Sequence, residues 1–478
     1  MKTIFIALDH GLAVAYFFET DLLKYLIEKE VRIVVLVPEA MLSFLRGRYS
    51  HLKIIIESVR DVQAAQYKKK YHASVQEYFE HVRRASASPR IPLMYVDRNR
   101  KWKEIEAKGR HKIALLLLRP VIGLLRYSRL ARWVFRRVQQ ALFTPRIYDD
   151  LFDRYQPDLI LSNSAGWRLD QYLLREAKRR RIKTATIIVG WDNPSSQGLP
   201  GALVDYVIVW SEVHKRELVV GVDWPARHVY VCGMPLYDGY ISKKWLMPRE
   251  EYFKLHDLDP GKHLIAFAAT ALGISPNIHI VELLAEMVKN QSFDQPSQLL
   301  VRLHPNHFKP FPHYRAEAEA IYKLAEQYQD MHVVAPKEVS KGLERYSGED
   351  FPEKASMLAY CDVLVTIYST MVVEAALHGK PSVSACIDAP VGWKDKFSLP
   401  LREIADWPTA TRVNQAKAGK LAMTADELRQ AINIYLSNPD LDMAERRKFL
   451  EDEMTFLNGE ATRVTAECLW SLACGDKV

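Results

Sequence analysis

Short apolar runs alternating with amphipathic stretches, in two successive sets, predict an α/β chain built of two parallel-sheet domains. The runs carry Val, Ile and Leu on consecutive positions, the pattern of strands covered on both faces. At 478 residues and 48% hydrophobic content the chain can fill two cores, since single cores stop growing near about 250–300 residues. The break between the sets places the first domain at 1–240, the second at 241–460 and a terminal helix at 461–478.

In the first set, Thr3–Leu8 reads as a strand, Ala15–Glu28 as an amphipathic helix and Val31–Val37 as the next strand. After an interruption the pattern resumes with helix Ile147–Tyr155, strand Leu159–Ser162, helix Arg168–Arg180 and strands Thr184–Val189, Tyr206–Trp210 and Val229–Cys232. Pro235–Pro260 reads as a linker. The second set runs through strand Leu264–Ala268, helix Asn277–Asn290, strand Leu299–Leu303, helix Tyr314–Tyr328, strand Met331–Val334, helix Phe351–Tyr360, strand Asp362–Ile367 and helix Met371–His378. Gly379-Lys380-Pro381 stops that helix ahead of a further strand, and the rest reads as mostly helical.

Two strand ends deliver polar groups. Val301-Arg302-Leu303-His304-Pro305 closes one strand, and Pro305 biases His304 towards an extended backbone that aims its imidazole outward. In Ile367-Tyr368-Ser369-Thr370-Met371, the Ser-Thr pair stands where a helix cap belongs, and a helix start offers N–H groups and a positive dipole end to a phosphate. Glu374, one turn on, is placed to accept from ribose hydroxyls. Each motif alone has an ordinary use as loop punctuation or as an N-cap. Together, at strand ends of one domain, they point to a nucleotide crevice.

These residues resemble the C-terminal domain of GT-B glycosyltransferases, in particular the branch with CDP-glycerol glycerophosphotransferases and bacterial sialyl- and Kdo-type transferases that carry His-Pro and Ser-Thr motifs. Pro157-Asp158-Leu159-Ile160-Leu161, Gly190-Trp191-Asp192-Asn193 and Val231-Cys232-Gly233-Met234-Pro235 extend the likeness through the N-terminal half. The resemblance implies two Rossmann-like domains facing a cleft, with the last helix returning to the first domain. It implies that His304 and Arg302 contact the nucleotide phosphates, that Ser369 and Thr370 hold the phosphate and that Glu374 takes the ribose. The loop Ala269-Thr270-Ala271-Leu272-Gly273 would close on phosphate or acceptor through Thr270.

The expected reaction is attack of an acceptor hydroxyl on the anomeric carbon of a CMP-, CDP- or UDP-linked sugar, with inversion, to build a bacterial surface polysaccharide or glycolipid. Asp9-His10-Gly11 ends the first strand; His10 is the candidate base with Asp9 holding its tautomer, and Asp192 is the alternative. No Asp-x-Asp motif or metal-ligand spacing occurs, so neither metal nor cofactor is expected. Three other readings stay open: glycerol phosphate transfer from CDP-glycerol, a UDP-GlcNAc 2-epimerase-like isomerase, and a non-catalytic GT-B scaffold. Against the first, Ile367 stands where that family places an Asp before the Tyr; against the second, Tyr368-Ser369-Thr370-Met371 replaces a Gly-rich phosphate loop.

The interruption is a basic helical insertion, 105–146. No acidic residue lies between Glu106 and Asp149, while Lys108, Arg110, Lys112, Arg119, Arg126, Arg129, Arg132, Arg136, Arg137 and Arg146 are interleaved with leucines, Trp133 and Phe135. Arg119–Phe143 suits the surface of an anionic membrane, and it suits equally a helix packed on its own domain. The net charge of +8 comes with no nucleic-acid-binding motif. Five unpaired-looking cysteines, no leader segment ahead of the first strand and no apolar run of about 20 residues imply a cytoplasmic protein, peripheral at most on the inner face of a membrane.

Overall fold

The computed structural model describes residues 1–71, 73–270, 276–337, 348–389 and 400–475. The chain divides into a first unit, Met1–Asp238 with the terminal segment from Asp452, and a second unit from Gly239 to Glu451. The return to the first unit thus comes at Asp452, ahead of the expected 461.

In the first unit, seven strands form one sheet among the described residues: β1 (Thr3–Ala7), β2 (Arg32–Val37), β3 (Ile54–Ser58), β4 (Leu159–Ser162), β5 (Lys183–Ile187), β6 (Tyr206–Val209) and β7 (Val229–Val231). Their order is β3-β2-β1-β4-β5-β6-β7, and every pairing is parallel. β1 is buried along its whole length, because helices cover both faces of the sheet. In the second unit, β8 (His263–Ala268), β9 (Ser297–Arg302), β10 (Met331–Val334), β11 (Val363–Thr366), β12 (Ser382–Ala385) and β13 (Lys420–Ala422) pair in parallel in the order β10-β9-β8-β11-β12-β13. Its core joins Phe267, Leu299, Val301 and Val365 of the sheet to Ile280, Leu284 and Ile432 of the flanking helices.

Four differences from the sequence expectations have local causes. The first helix is two, Gly11–Phe18 and Leu22–Glu28, because the Thr20 hydroxyl donates to the Tyr16 carbonyl at 2.7 Å and accepts the Leu22 N–H at 3.3 Å. β3, not among the expected strands, lies between β2 and the insertion, its Ile54-Ile55-Ile56 run pairing with β2. A helix, Glu212–Val222, supplies the crossover that parallel β6 and β7 require. The expected linker is structured: helices Pro235–Ile241 and Arg249–Leu255 carry buried Tyr240, Tyr252 and Phe253, with buried Trp245 between them, an aromatic area too large to leave in water.

The insertion is a run of helices, Gly109–Leu117, Arg119–Tyr127 and Arg129–Leu142. Its last break is at Ser128, whose hydroxyl caps the final helix by accepting from Ala131 N–H at 3.2 Å. Part of it packs on its own domain, Ile122 and Leu125 against Val82 and Ala85.

Candidate functional site

In an open parallel sheet the connections from two neighbouring strands run to opposite faces at one point, and the carboxyl ends there leave a crevice. The switch lies between β1 and β4 in the first unit and between β8 and β11 in the second. Most candidate residues from the sequence stand at these two places.

At the first switch, Asp9 and His10 follow β1 and Asn163 follows β4. The Asn163 side-chain amide lies 3.1 Å from His10 Nε2 and 3.2 Å from Asp9 Oδ1. Asp9 is 1% exposed at its side chain and has Arg168 Nε 3.3 Å from Oδ2; His10 Nε2 is 3.8 Å from Asp9 Oδ1. His10 also caps the helix Gly11–Phe18, its Nδ1 accepting the Ala13 N–H at 3.1 Å. A ring that accepts at Nδ1 carries its proton on Nε2. His10 therefore becomes a base only by giving up this cap.

The turn after β4 holds a second carboxylate. Ala165 and Gly166 take positive φ, 52° and 75°, and a Cβ on Gly166 would lie 2.8 Å from the Ala202 nitrogen, so glycine is required there. The turn wraps buried Asp170, which accepts from Ser164 Oγ at 2.6 Å and Gly166 N–H at 3.1 Å. Burial and the charge of Asp9 push the Asp170 carboxyl up to about 6. Asp192 differs: it is exposed beyond β5, starting the short helix Asn193–Ser196, while the neighbouring Trp191 is buried and donates to Glu453 at 2.6 Å.

At the second switch a buried network joins two strand ends. Thr270, after β8, donates its N–H to Asn277 Oδ1 at 2.8 Å. Glu317, 8% exposed, accepts the Ile278 N–H at 3.0 Å and the Asn277 N–H, capping the helix Ile278–Lys289. Its other oxygen accepts from His307 Nε2 at 2.9 Å. His307 Nδ1 in turn accepts the His304 N–H at 3.0 Å, and His304 Nδ1 accepts the Asn306 N–H at 3.1 Å. His304 has the expected extended backbone, φ −79° and ψ 145°. Burial, with His307, Lys309 and Arg302 nearby, pushes its imidazole down to about 3. At neutral pH the ring is thus uncharged, with its proton on Nε2.

The remaining candidates are engaged elsewhere in part. Arg302, at the end of β9, is turned to Asp350 and Glu353, ion-paired with both and 5% exposed, which withdraws it from the group around His304. Ser369, not Thr370, caps the helix Met371–Leu377: its Oγ and carbonyl accept the N–H groups of Met371 and Val372 at 3.1 and 3.0 Å, leaving fewer donors for a phosphate than expected. The preceding Tyr368 holds φ at 34°, a costly value for a bulky side chain, and its hydroxyl donates to Asn414 at 2.6 Å. Glu374 is 4% exposed and paired with Lys354 at 3.0 Å. Of the expected Ala269–Gly273 loop, positions 271–273 lie outside the described residues.

Asn163, Asp170, Asn277, His307 and Glu317 were not singled out from the sequence. The polar run Ser162-Asn163-Ser164 directly after an apolar strand, and the second histidine of His304-Pro305-Asn306-His307, are the signals that mark two of these groups. Among the described residues no group of His, Cys, Asp or Glu is arranged to hold a metal ion.

The whole chain is similar in structure to the UDP-GlcNAc 2-epimerase from Neisseria meningitidis bound to UDP-GlcNAc, with TM-score 0.54 at 12% identity over 98% of this chain and 100% of that one. The UDP-GlcNAc 2-epimerase from Methanocaldococcus jannaschii gives 0.53 at 9% identity over 98% and 100% of the two chains. A glycosyltransferase from Rickettsia africae gives 0.50 at 12% identity over 99% and 98%. No family model matches the sequence, and none of the curated proteins does. At such identities the likeness speaks to architecture: the chain has the GT-B fold.

Proposed function

We propose that the chain is a glycosyltransferase that moves a sugar from a CMP-, CDP- or UDP-linked donor, with inversion and without a metal ion, to a hydroxyl of a glycan or lipid-linked acceptor of the bacterial surface. The observation that carries this reading is the set of polar groups at the carboxyl ends of the central strands of each sheet: Asp9, His10 and Asn163 after β1 and β4 in one unit, Thr270, His304 and Ser369 after β8, β9 and β11 in the other. A structural neighbour bound to UDP-GlcNAc supports a nucleotide-sugar ligand for this fold.

In the reaction the acceptor oxygen forms a bond to the anomeric carbon as the bond to the phosphate oxygen breaks, and the nucleotide leaves with the electron pair. His304 Nε2–H and the Thr370 hydroxyl donate to the leaving phosphate, each such donor being worth about 3 kcal/mol in a site closed to water. The acceptor proton passes to His10 once its ring releases the Ala13 N–H, and the carboxylate of Asp9 favours the imidazolium so formed.

One observation favours a second reading, an epimerase acting on the same donor. It is the likeness in fold to UDP-GlcNAc 2-epimerases from Neisseria meningitidis and Methanocaldococcus jannaschii, at TM-scores of 0.54 and 0.53. The test has two steps. A thermal-shift panel of CMP, CDP, UDP, GDP and ADP comes first, since a ligand at a hundred times its Kd adds about 2.7 kcal/mol. Stabilisation by a pyrimidine nucleotide supports the donor class, and no stabilisation by any of the five leaves the scaffold reading. UDP-GlcNAc in deuterated water without acceptor then separates the enzymes: deuterium at the sugar C2 identifies the epimerase, and an unlabelled sugar retains the transferase.

A further inference from the structure

The final helix of the insertion turns an apolar stripe to solvent. Along Arg129–Leu142 the side chains of Leu130, Trp133, Val134, Val138 and Leu142 recur three and four residues apart, one stripe of a helix. That stripe faces solvent, with Leu130 at 70% and Trp133 at 52% exposure. The face turned to the protein carries Ala131 and Phe135, packed against the core, together with Arg132 and Gln139, 5% and 4% exposed. Arg132 holds Asp223 with two nitrogens, and its Nη1 donates to the carbonyls of Leu125 and Arg126 at 2.7 and 2.8 Å. The two preceding helices add Leu117 at 72% and Leu124 at 62%. A helix at home in water carries polar side chains on its exposed face, and an exposed apolar stripe of this kind marks a binding face.

Charge selects the occupant. Arg110, Lys112, Arg129 and Arg137 are exposed in the same segment, which has no acidic residue, and the Arg137 guanidinium lies 4.2 Å from the centroid of the Trp133 ring. A cavity of about 440 Å³ between the helices Met94–Glu106 and Arg119–Tyr127 is lined by Arg100, Lys101, Arg119 and Arg126, a surplus over the carboxylates Asp97 and Glu104 that pair there. A second copy of the chain would set one cationic face against another. A bilayer of anionic phospholipid meets both demands at once: apolar side chains enter the headgroup boundary while arginines reach the phosphates. Among the described residues no helix is long and apolar enough to cross a membrane, so the contact is with its surface.

We propose that this block is a membrane-docking face which lays the Leu130–Leu142 stripe on anionic phospholipid, whatever reaction the chain carries out. Arg132 and Arg136 are not part of it: the first is locked to Asp223, and the second reaches inward towards the Ala202 carbonyl at 3.5 Å. The test is co-sedimentation of the full chain with vesicles of phosphatidylcholine, with and without phosphatidylglycerol. Binding is expected only with phosphatidylglycerol and weakened by high salt. It should be abolished in the triple variant L130S/W133S/V138S and reduced roughly tenfold or more in R129E/R137E. All five side chains are exposed, so unchanged circular dichroism and melting of both variants establish that the fold is kept. Absence of wild-type binding, or equal binding by both variants, overturns the proposal. Dimerisation in solution that the triple variant abolishes also overturns it, giving the stripe to a second copy.

Discussion

Replacing Glu317 by Gln probes the network that ties the end of β8 to the end of β9. The carboxylate faces donors on both sides: the Asn277 and Ile278 N–H groups on Oε1, and His307 Nε2 at 2.9 Å with the Asn277 amide at 3.3 Å on Oε2. An amide offers one oxygen, so its NH2 must meet donors whichever way it turns. With the oxygen on the helix, His307 has to move its proton to Nδ1 and exchange the His304 N–H at 3.0 Å for the His304 carbonyl at 3.1 Å. A hydrogen bond to a buried charge contributes about 1.5–3 kcal/mol and an unpaired buried donor costs about 1–3 kcal/mol. A carboxylate at a helix start adds about 0.3–1 kcal/mol. The tautomer change recovers part of this, leaving a net loss of about 3 kcal/mol, or roughly 6–12 °C in the melting of a unit of this size. Calorimetry of the full chain at neutral pH reads it. A Glu317→Gln protein whose transitions all coincide with those of the wild type would refute the reasoning.

Arg302→Met should cost about 3–5 kcal/mol, because Asp350 and Glu353 are left buried without their cation; urea unfolding measures it, and wild-type stability with lost nucleotide affinity would return Arg302 to the phosphate. His304→Ala should weaken nucleotide binding by at least about 1 kcal/mol through loss of the Nε2–H donor, and titration calorimetry showing unchanged affinity in a folded protein removes His304 from the site. The imidazole is depressed from 6.5 to about 3, so its contribution to stability is complete above pH 6.5 and is lost as pH falls towards 3. Urea midpoints should therefore drop on acidification less steeply in His304→Ala than in the wild type; parallel curves would mean the ring is not held neutral by the fold. Asp9→Asn should lower turnover by about 100-fold while nucleotide affinity stays, and equal turnover would move the proton transfer away from this pair.

The alternation of apolar runs and amphipathic helices was legible because a strand covered on both faces is apolar at successive positions, as Ile4–Ala7 of β1 and Leu299–Val301 of β9 are. The geometry at His304 was legible too, since Pro305 acts on its immediate neighbour. Less of the site could be read. His10 and Asn163 are 153 residues apart in sequence, and only the pairing of β1 with β4 brings them to 3.1 Å. Glu317 looked like any other charged helix position until His307 and the start of another helix closed on it.

By itself, the sequence determined most of the strands and helices, that there are two sets of them, and that basic and apolar residues interleave through Arg119–Phe143. Local forces set these features, acting over a few residues through backbone geometry and side-chain spacing. Tertiary structure alone decided what each polar group does. A guanidinium such as Arg302 satisfies a phosphate or two carboxylates equally well, and its choice of Asp350 and Glu353 depends on a helix that packs about fifty residues away in the chain. The same holds for the stripe: periodicity is identical whether a helix turns its apolar side inward or outward, and the packing of Arg132, Phe135 and Gln139 on the first unit leaves this one facing solvent.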